Sequence, residues 1–205
     1  MPERPAAHVA ELAADQGAPL AALARAAIRH ALGAPRPPRP TGDFFTGPAA
    51  TFITLYRGDV LHGCIGSLEA HRSLTDDVID NAVSAALHDP RATPLSLPDV
   101  DTLRVEVSLL SPQQRVPCHD EASALAALRP GIDGVVLRRG GRRATFLPQV
   151  WEALPDGHQF LRELRCKARL DPDAWPADLE VYRYSVQKYI DEPASPGGAR
   201  APRAK

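Results

Sequence analysis

The feature that most constrains this fold is a pair of short alternating runs, residues 50–56 and 60–66, joined by Arg57-Gly58-Asp59. Apolar and polar side chains alternate with the period of two of a β-strand, and the glycine suits a tight connection. The segment therefore reads as a β-hairpin. Pairing Tyr56 with Val60 places Leu55 opposite Leu61 and Ile53 opposite Gly63. Ile53, Leu55, Leu61 and Ile65 then share the core face. Phe52, Thr54, Tyr56, His62 and Cys64 share the other, with His62 and Cys64 about 7 Å apart from two strand rises. The second strand reads Leu61-His62-Gly63-Cys64-Ile65-Gly66. Glycine has no Cβ, so a ligand, a partner or a neighbouring backbone can approach closely beside the cysteine. The thiol fits three roles there: nucleophile, metal ligand or small core hydrophobe.

The remaining chain alternates helices and strands. Residues 19–32 read as a helix with a Leu20, Leu23, Ala24, Ala27, Ile28 and Ala31 stripe and Gly33 just past its end. Residues 34–48 hold five prolines and two glycines and read as an extended loop. Residues 73–88 read as a helix capped by Ser73 and stopped by Asp89-Pro90, with Leu74, Val78, Ile79, Ala82, Val83 and Ala86 inward. Residues 103–110 alternate, with Leu103, Val105, Val107 and Leu109 inward and Arg104, Glu106 and Ser108 outward. A short helix over 122–128, a second hairpin around Gly140-Gly141, a helix over 157–168 and a closing strand over 179–189, bent in the middle, follow. Without a strict strand–helix–strand rhythm, the pattern predicts an α+β fold with mostly antiparallel sheets. Residues 1–17 and 193–205 offer no apolar stripe and read as a flexible N-terminus and a disordered tail, leaving 18–192 as the folded part.

The formal net charge is −1, which argues against broad nucleic-acid binding, and there are few aromatic residues for base stacking. No apolar run reaches the ~18 residues of a membrane span. Cys64, Cys118 and Cys166 match no zinc spacing, and no signal peptide precedes them, so reduced thiols in a cytoplasm are expected. His62-x-Cys64 and Cys118-His119 are pairs without a tetrahedral set, so neither a metal site nor another cofactor is expected. A serine triad, a P-loop and a dinucleotide fingerprint are absent.

Several motifs occur together in a familiar order. Leu61-His62-Gly63-Cys64-Ile65-Gly66 resembles the LRGCIG signature of the AmmeMemoRadiSam system protein A (AMMECR) family. Asp89-Pro90-Arg91 with Pro94-Leu95 resembles the family's DPRFPPL segment. Glu106-Val107-Ser108-Leu109-Leu110-Ser111-Pro112 resembles EVSVLTP. Asp133-Gly134 and Leu147-Pro148-Gln149-Val150 resemble DGL and LLPQV. Cys166-Lys167-Ala168, Asp173-Ala174-Trp175 and Val181-Tyr182-Arg183-Tyr184 complete the order. The resemblance covers about residues 18–192. His62 stands where the family usually has arginine, and Arg169 where it usually has glycine. The resemblance implies two unequal lobes built on mostly antiparallel sheets flanked by helices. It also implies two partners: a Memo-type, extradiol-dioxygenase-like protein and a radical S-adenosylmethionine enzyme.

The candidate chemistry centres on Cys64. A useful thiolate needs a nearby cation, base or helix N-terminus. Should the Glu106 strand join the hairpin's sheet, Cys64, His62 and Glu106 can form a catalytic cluster, with backbone N–H groups near Gly63 or Gly66 as an oxyanion site. Gly63, Ile65 and Gly66 would line a cleft for a small molecule or nucleotide. Arg91 suits a phosphate or carboxylate, or pairs with Asp89. Gln149 reads an amide or caps a helix. Lys167 binds a ligand or faces its helix dipole. Two functional readings result: a cytoplasmic pathway protein that binds a small molecule with thiol chemistry at Cys64, and a non-catalytic adaptor that uses the same cleft for a protein. A third, RNA-associated reading fits the charge and aromatic content less well.

Overall fold

The structure, a computed structural model, describes residues 14–193, with side chains from Gly17 onward. Most of the expected N-terminal segment and nearly all of the expected tail lie outside the described residues. The elements in order are α1 (Ala14–Ala31), α2 (Asp43–Thr46), β1 (Pro48–Arg57), β2 (Val60–Gly66), β3 (Arg72–Ser73), α3 (Leu74–Leu87), α4 (Leu97–Thr102) and β4 (Leu103–Leu110). Then follow β5 (Gln114–Val116), α5 (Glu121–Ala127), β6 (Gly134–Arg139), β7 (Arg142–Phe146), α6 (Val150–Ala153), α7 (Gly157–Lys167), β8 (Glu180–Tyr184) and β9 (Val186–Asp191). The fold is α+β. The chain divides into two compact units, one of residues 14–109 and 188–193 and the other of residues 110–187.

In the first unit the strand order is β2-β1-β4-β9, with the short β3 also on β1. Helices α1 and α3 supply the apolar layer. Leu20, Leu23, Ala24 and Ile28 of α1 and Leu74, Val78, Ala82 and Ala85 of α3 pack with Ile53, Leu55, Val105 and Val107. The helix α1 begins at Ala14, a turn earlier than Pro19 predicts. That turn is held in place because the Tyr189 ring lies on Gly17, where a Cβ would sit 1.6 Å from a ring carbon. At the other end Gly33 takes φ 100°, as a helix-terminating residue should, and Ala31 is exposed rather than part of the stripe. The Ser73 hydroxyl accepts the Asp76 N–H at 3.1 Å and caps α3. The Pro-rich stretch 34–48 is interrupted by α2.

The hairpin register differs from the expected one. Arg57 pairs with Val60 across a two-residue turn at Gly58-Asp59, and Tyr56 pairs with Leu61. The register then shifts: Leu55 pairs with Gly63, Thr54 with Cys64 and Ile53 with Ile65. His62 is the extra residue of a β-bulge. A bulge inserts one residue and turns two consecutive side chains toward the same side. Leu61 therefore shares a face with Tyr56, Thr54 and Cys64, whereas His62 and Gly63 turn to the core side with Leu55. The simple alternation placed Leu61 and His62 the other way round.

The second unit carries an antiparallel sheet of order β5-β8-β6-β7. Its separate core joins Val135, Leu137 and Val181 of the sheet to Phe160, Leu161 and Leu164 of α7 and to Trp151, whose ring stacks on Phe160 at 3.7 Å. The expected closing strand is broken at Ser185 into β8 and β9, which belong to different sheets.

Candidate functional site around Cys64

Cys64 is half-buried on the face of the first sheet away from α3, and its Sγ lies 3.3 Å from the Thr54 hydroxyl. Its amide N–H donates to Asp89 Oδ2 at 2.9 Å. Asp89 follows α3 directly, where Pro90 ends the helix. The Arg91 guanidinium closes on this carboxylate as a fork, Nε to Oδ1 at 2.9 Å and Nη2 to Oδ2 at 2.7 Å, while the Arg91 amide donates to Oδ1 at 2.9 Å. The Asp89 side chain is 2% exposed and that of Arg91 54%. A buried carboxylate thus accepts four hydrogen bonds, and a half-exposed cation covers it. The Arg91 fork, and after it the Cys64 N–H, holds the Asp89 carboxyl well below the usual carboxylate range. Asp89 in turn raises the Arg91 pKa, and a Coulombic interaction with Cys64 adds to the effect. Arg91 Nη1 makes no hydrogen bond among the described residues and is open to an anion.

The two glycines of the motif are filled from within. A Cβ on Gly63 would lie 2.1 Å from the Ala85 carbonyl oxygen, and one on Gly66 would lie 2.3 Å from the Phe52 ring and 2.5 Å from the Thr51 carbonyl. The close approach expected here is made by the chain itself: the last turn of α3 at Gly63 and strand β1 at Gly66. The oxyanion role expected of nearby N–H groups is closed at Cys64, whose N–H is bound by Asp89. Ile65 pairs with Ile53 and packs partly against the core.

The expected Cys–His–Glu cluster does not assemble. His62 is buried on the α3 side, with Nε2 3.1 Å from the Ala86 carbonyl oxygen. The bulge rotates it away from Cys64. Glu106 does lie on the Cys64 face, because Arg104 two residues earlier covers the Tyr56 ring at 4.4 Å. However, β1 lies between β2 and β4, and two strand spacings amount to about 9.5 Å. Glu106 is instead paired with Arg104 at 3.2 Å and Lys188 at 4.0 Å.

Gln149 and Lys167 belong to the other unit. Gln149 is exposed at the N-cap of α6 without a side-chain capping bond. Lys167 donates to the Thr145 carbonyl at 3.0 Å and lies 5.1 Å over the Phe146 ring. Among the described residues, no group of three or more His, Cys, Asp and Glu is placed to hold a metal, and no helix is long and apolar enough to cross a membrane.

The AMMECR1 family model matches residues 21–189, which contain the hairpin, the Asp89–Arg91 pair and all of both sheets but the last two residues of β9. The chain belongs to the AMMECR1 family. A family protein from Methanothermobacter thermautotrophicus is 35% identical over 192 residues, covering 89% of this chain and 98% of its own length. A relative from Thermotoga maritima is 36% identical over 149 residues. The crystal structure of uncharacterized protein PH0010 from Pyrococcus horikoshii is similar with a TM-score of 0.76 at 31% identity, covering 87% of this chain and 92% of that one.

Two features of this AMMECR1 domain escape sequence reasoning. Asp89 reads as a helix stop and as a candidate partner of Arg91, a pairing the structure shows, but its bond to the Cys64 amide has no sequence signal. The other is Asp77, fully buried in α3. Its Oδ2 accepts from the Thr51 N–H and hydroxyl, each at 2.7 Å, and from Asn81 at 2.9 Å. Its Oδ1 accepts from Ser67 and Arg72, each at 2.8 Å. This network ties down the chain just past Gly66. Its only sequence signal is an acidic residue in the first turn of a helix, which the dipole alone explains.

Proposed function

We propose that this AMMECR1-domain protein binds a small anionic molecule at the exposed side of Arg91, with Cys64 beside the bound group as a thiol able to react with it. A phosphate of a nucleotide or a carboxylate fits the guanidinium. The observation that carries this reading is the Cys64–Asp89–Arg91 arrangement: a buried carboxylate binds both the backbone amide of Cys64 and the guanidinium of Arg91, which ties the cation to the residue that bears the thiol. Arg91 takes the part that His62 had in the sequence-based scheme. Family resemblance adds the setting, a cytoplasmic modification pathway shared with a Memo-type protein and a radical S-adenosylmethionine enzyme. Mass-spectrometric mapping of alkylation in the native protein tests the reading. Labelling of Cys64 before denaturation is expected, and labelling only in denaturant would contradict it.

The second reading is a non-catalytic adaptor. It is favoured by the closure of Gly63 and Gly66 from inside the fold, which makes the motif a packing device. A Cys64→Ser variant that still co-purifies with a Memo-type partner, together with an inert thiol, would favour the adaptor.

A further inference from the structure

We infer that the second unit carries a binding surface for the phosphodiester backbone of a nucleic acid, formed by Arg142, Lys167 and Arg169. This is independent of the site at Cys64. All three side chains are exposed. The Arg142 guanidinium donates to the Arg169 carbonyl, and Lys167 Nζ donates to the Thr145 carbonyl at 3.0 Å. These bonds hold the end of α7 against β7, with the Arg142 guanidinium at the Arg169 backbone and the Lys167 ammonium at the backbone of β7. Carbonyls carry no net charge, so these bonds leave the cationic charge in place. None of the three residues has a carboxylate partner within ion-pair distance among the described residues. Other arginines in this unit are matched by carboxylates: Arg139 with Asp178 at 2.8 Å, Arg129 with Asp133 at 2.6 Å and Arg162 with Asp173 at 3.3 Å.

Arg169 adds a second observation. It is the one non-glycine residue at positive φ, 57°, among the described residues. It follows the α7 C-cap Ala168, and the Leu170 N–H returns to the Arg165 carbonyl at 2.9 Å and the Arg169 N–H to the Cys166 carbonyl at 2.9 Å. This helix-ending loop favours glycine at the Arg169 position. A side chain there strains the backbone, and strain of this kind collects where function maintains it. Here the strained residue adds a cation to a surface that already holds two.

A nucleic acid fits better than an anionic membrane. Of the large apolar residues that stand exposed, only Ile132 belongs to this unit, whereas stable membrane attachment by few charges needs an apolar anchor. Binding through the phosphate backbone also needs no aromatic platform, so the contact would be insensitive to sequence.

The test is fluorescence anisotropy of a labelled 20-nucleotide poly(U) RNA with the full chain at 50 and 200 mM salt, with vesicles of anionic lipid as a separate arm. Three phosphate contacts predict a log–log salt slope of about −2, or roughly 15-fold weaker binding at the higher salt. Lys167→Gln should reduce the slope by about 0.7. Arg169→Gly should do the same with a thermal midpoint that is unchanged or higher, because it removes the cation and the strain together. No binding at 50 mM salt, unaltered slopes in both variants, or equal binding of the vesicles would overturn the inference.

Discussion

At the level of single residues, the motif works through what glycine lacks. Gly63 admits the Ala85 carbonyl, and this contact sets how closely α3 packs on β2 and hence where Asp89 meets the Cys64 amide. Gly63→Val should therefore destabilise the protein by about 1–3 kcal/mol, the usual cost of overpacking, as read from the urea midpoint. A variant as stable as the wild type would show that the contact does not constrain the fold. Asp89 makes a second prediction. Its folded pKa is depressed, so its contribution to stability is fully present above the unfolded value of about 3.9 and is lost as pH falls below it toward the folded value. Asp89→Asn should lower stability at pH 7 and flatten the loss between pH 4 and pH 3 relative to wild type. The remaining slope would come from the other carboxyls with lowered pKa, Asp76, Asp99 and Asp120. Arg169→Gly acts in the opposite direction, with an expected gain of roughly 1 kcal/mol from relief of the left-handed backbone. Little of this was legible in the chain. The motif drew attention to Cys64, but a carboxylate 25 residues away that binds its amide has no local signature.

At the level of elements, the agreement between sequence and structure follows the physics of local order. Helix α3 is capped by Ser73 and stops before Asp89-Pro90 because cap and breaker are both chain-local. Helix α7 and the β6–β7 hairpin likewise follow from an amphipathic stripe and a Gly-Gly turn. The β1–β2 hairpin was found with its register displaced, because a bulge at His62 is set by what packs behind it. His62 fills the space beside the Ala86 carbonyl, and an alternating pattern cannot announce a residue that breaks alternation. The break at Ser185 was visible only as a bend, since two consecutive strands in different sheets resemble one long strand. Asp77 gives the element-scale prediction. Asp77→Ala leaves Thr51, Asn81 and Arg72 without their shared acceptor and should cost about 3–5 kcal/mol, as for one partner removed from a buried pair. A cost below 1 kcal/mol in chemical denaturation would mean that water replaces the carboxylate readily.

At the level of the whole molecule, the fold contains two separate cores, and the chain as a whole is near neutral. A net charge of −1 argued against nucleic acid in the sequence, yet a local set of unmatched cations does not register in a sum. Because residues 110–187 contain a complete sheet and core, this segment expressed alone should unfold cooperatively with a near-UV signal from the stacked Trp151 and Phe160. A fragment without that signal would show that this core depends on the rest of the chain. Whether Arg91 presents an anion to the Cys64 thiol is read from the ratio of native-state alkylation rates at Cys64 with iodoacetate and iodoacetamide. The first reagent is an anion and the second is neutral, so thiol exposure cancels in the ratio. A higher iodoacetate:iodoacetamide ratio is expected at Cys64 than at Cys118, falling several-fold in Arg91→Gln while the ratio at Cys166 stays constant. A Cys64 ratio equal to that of Cys118 and unchanged by Arg91→Gln would contradict it.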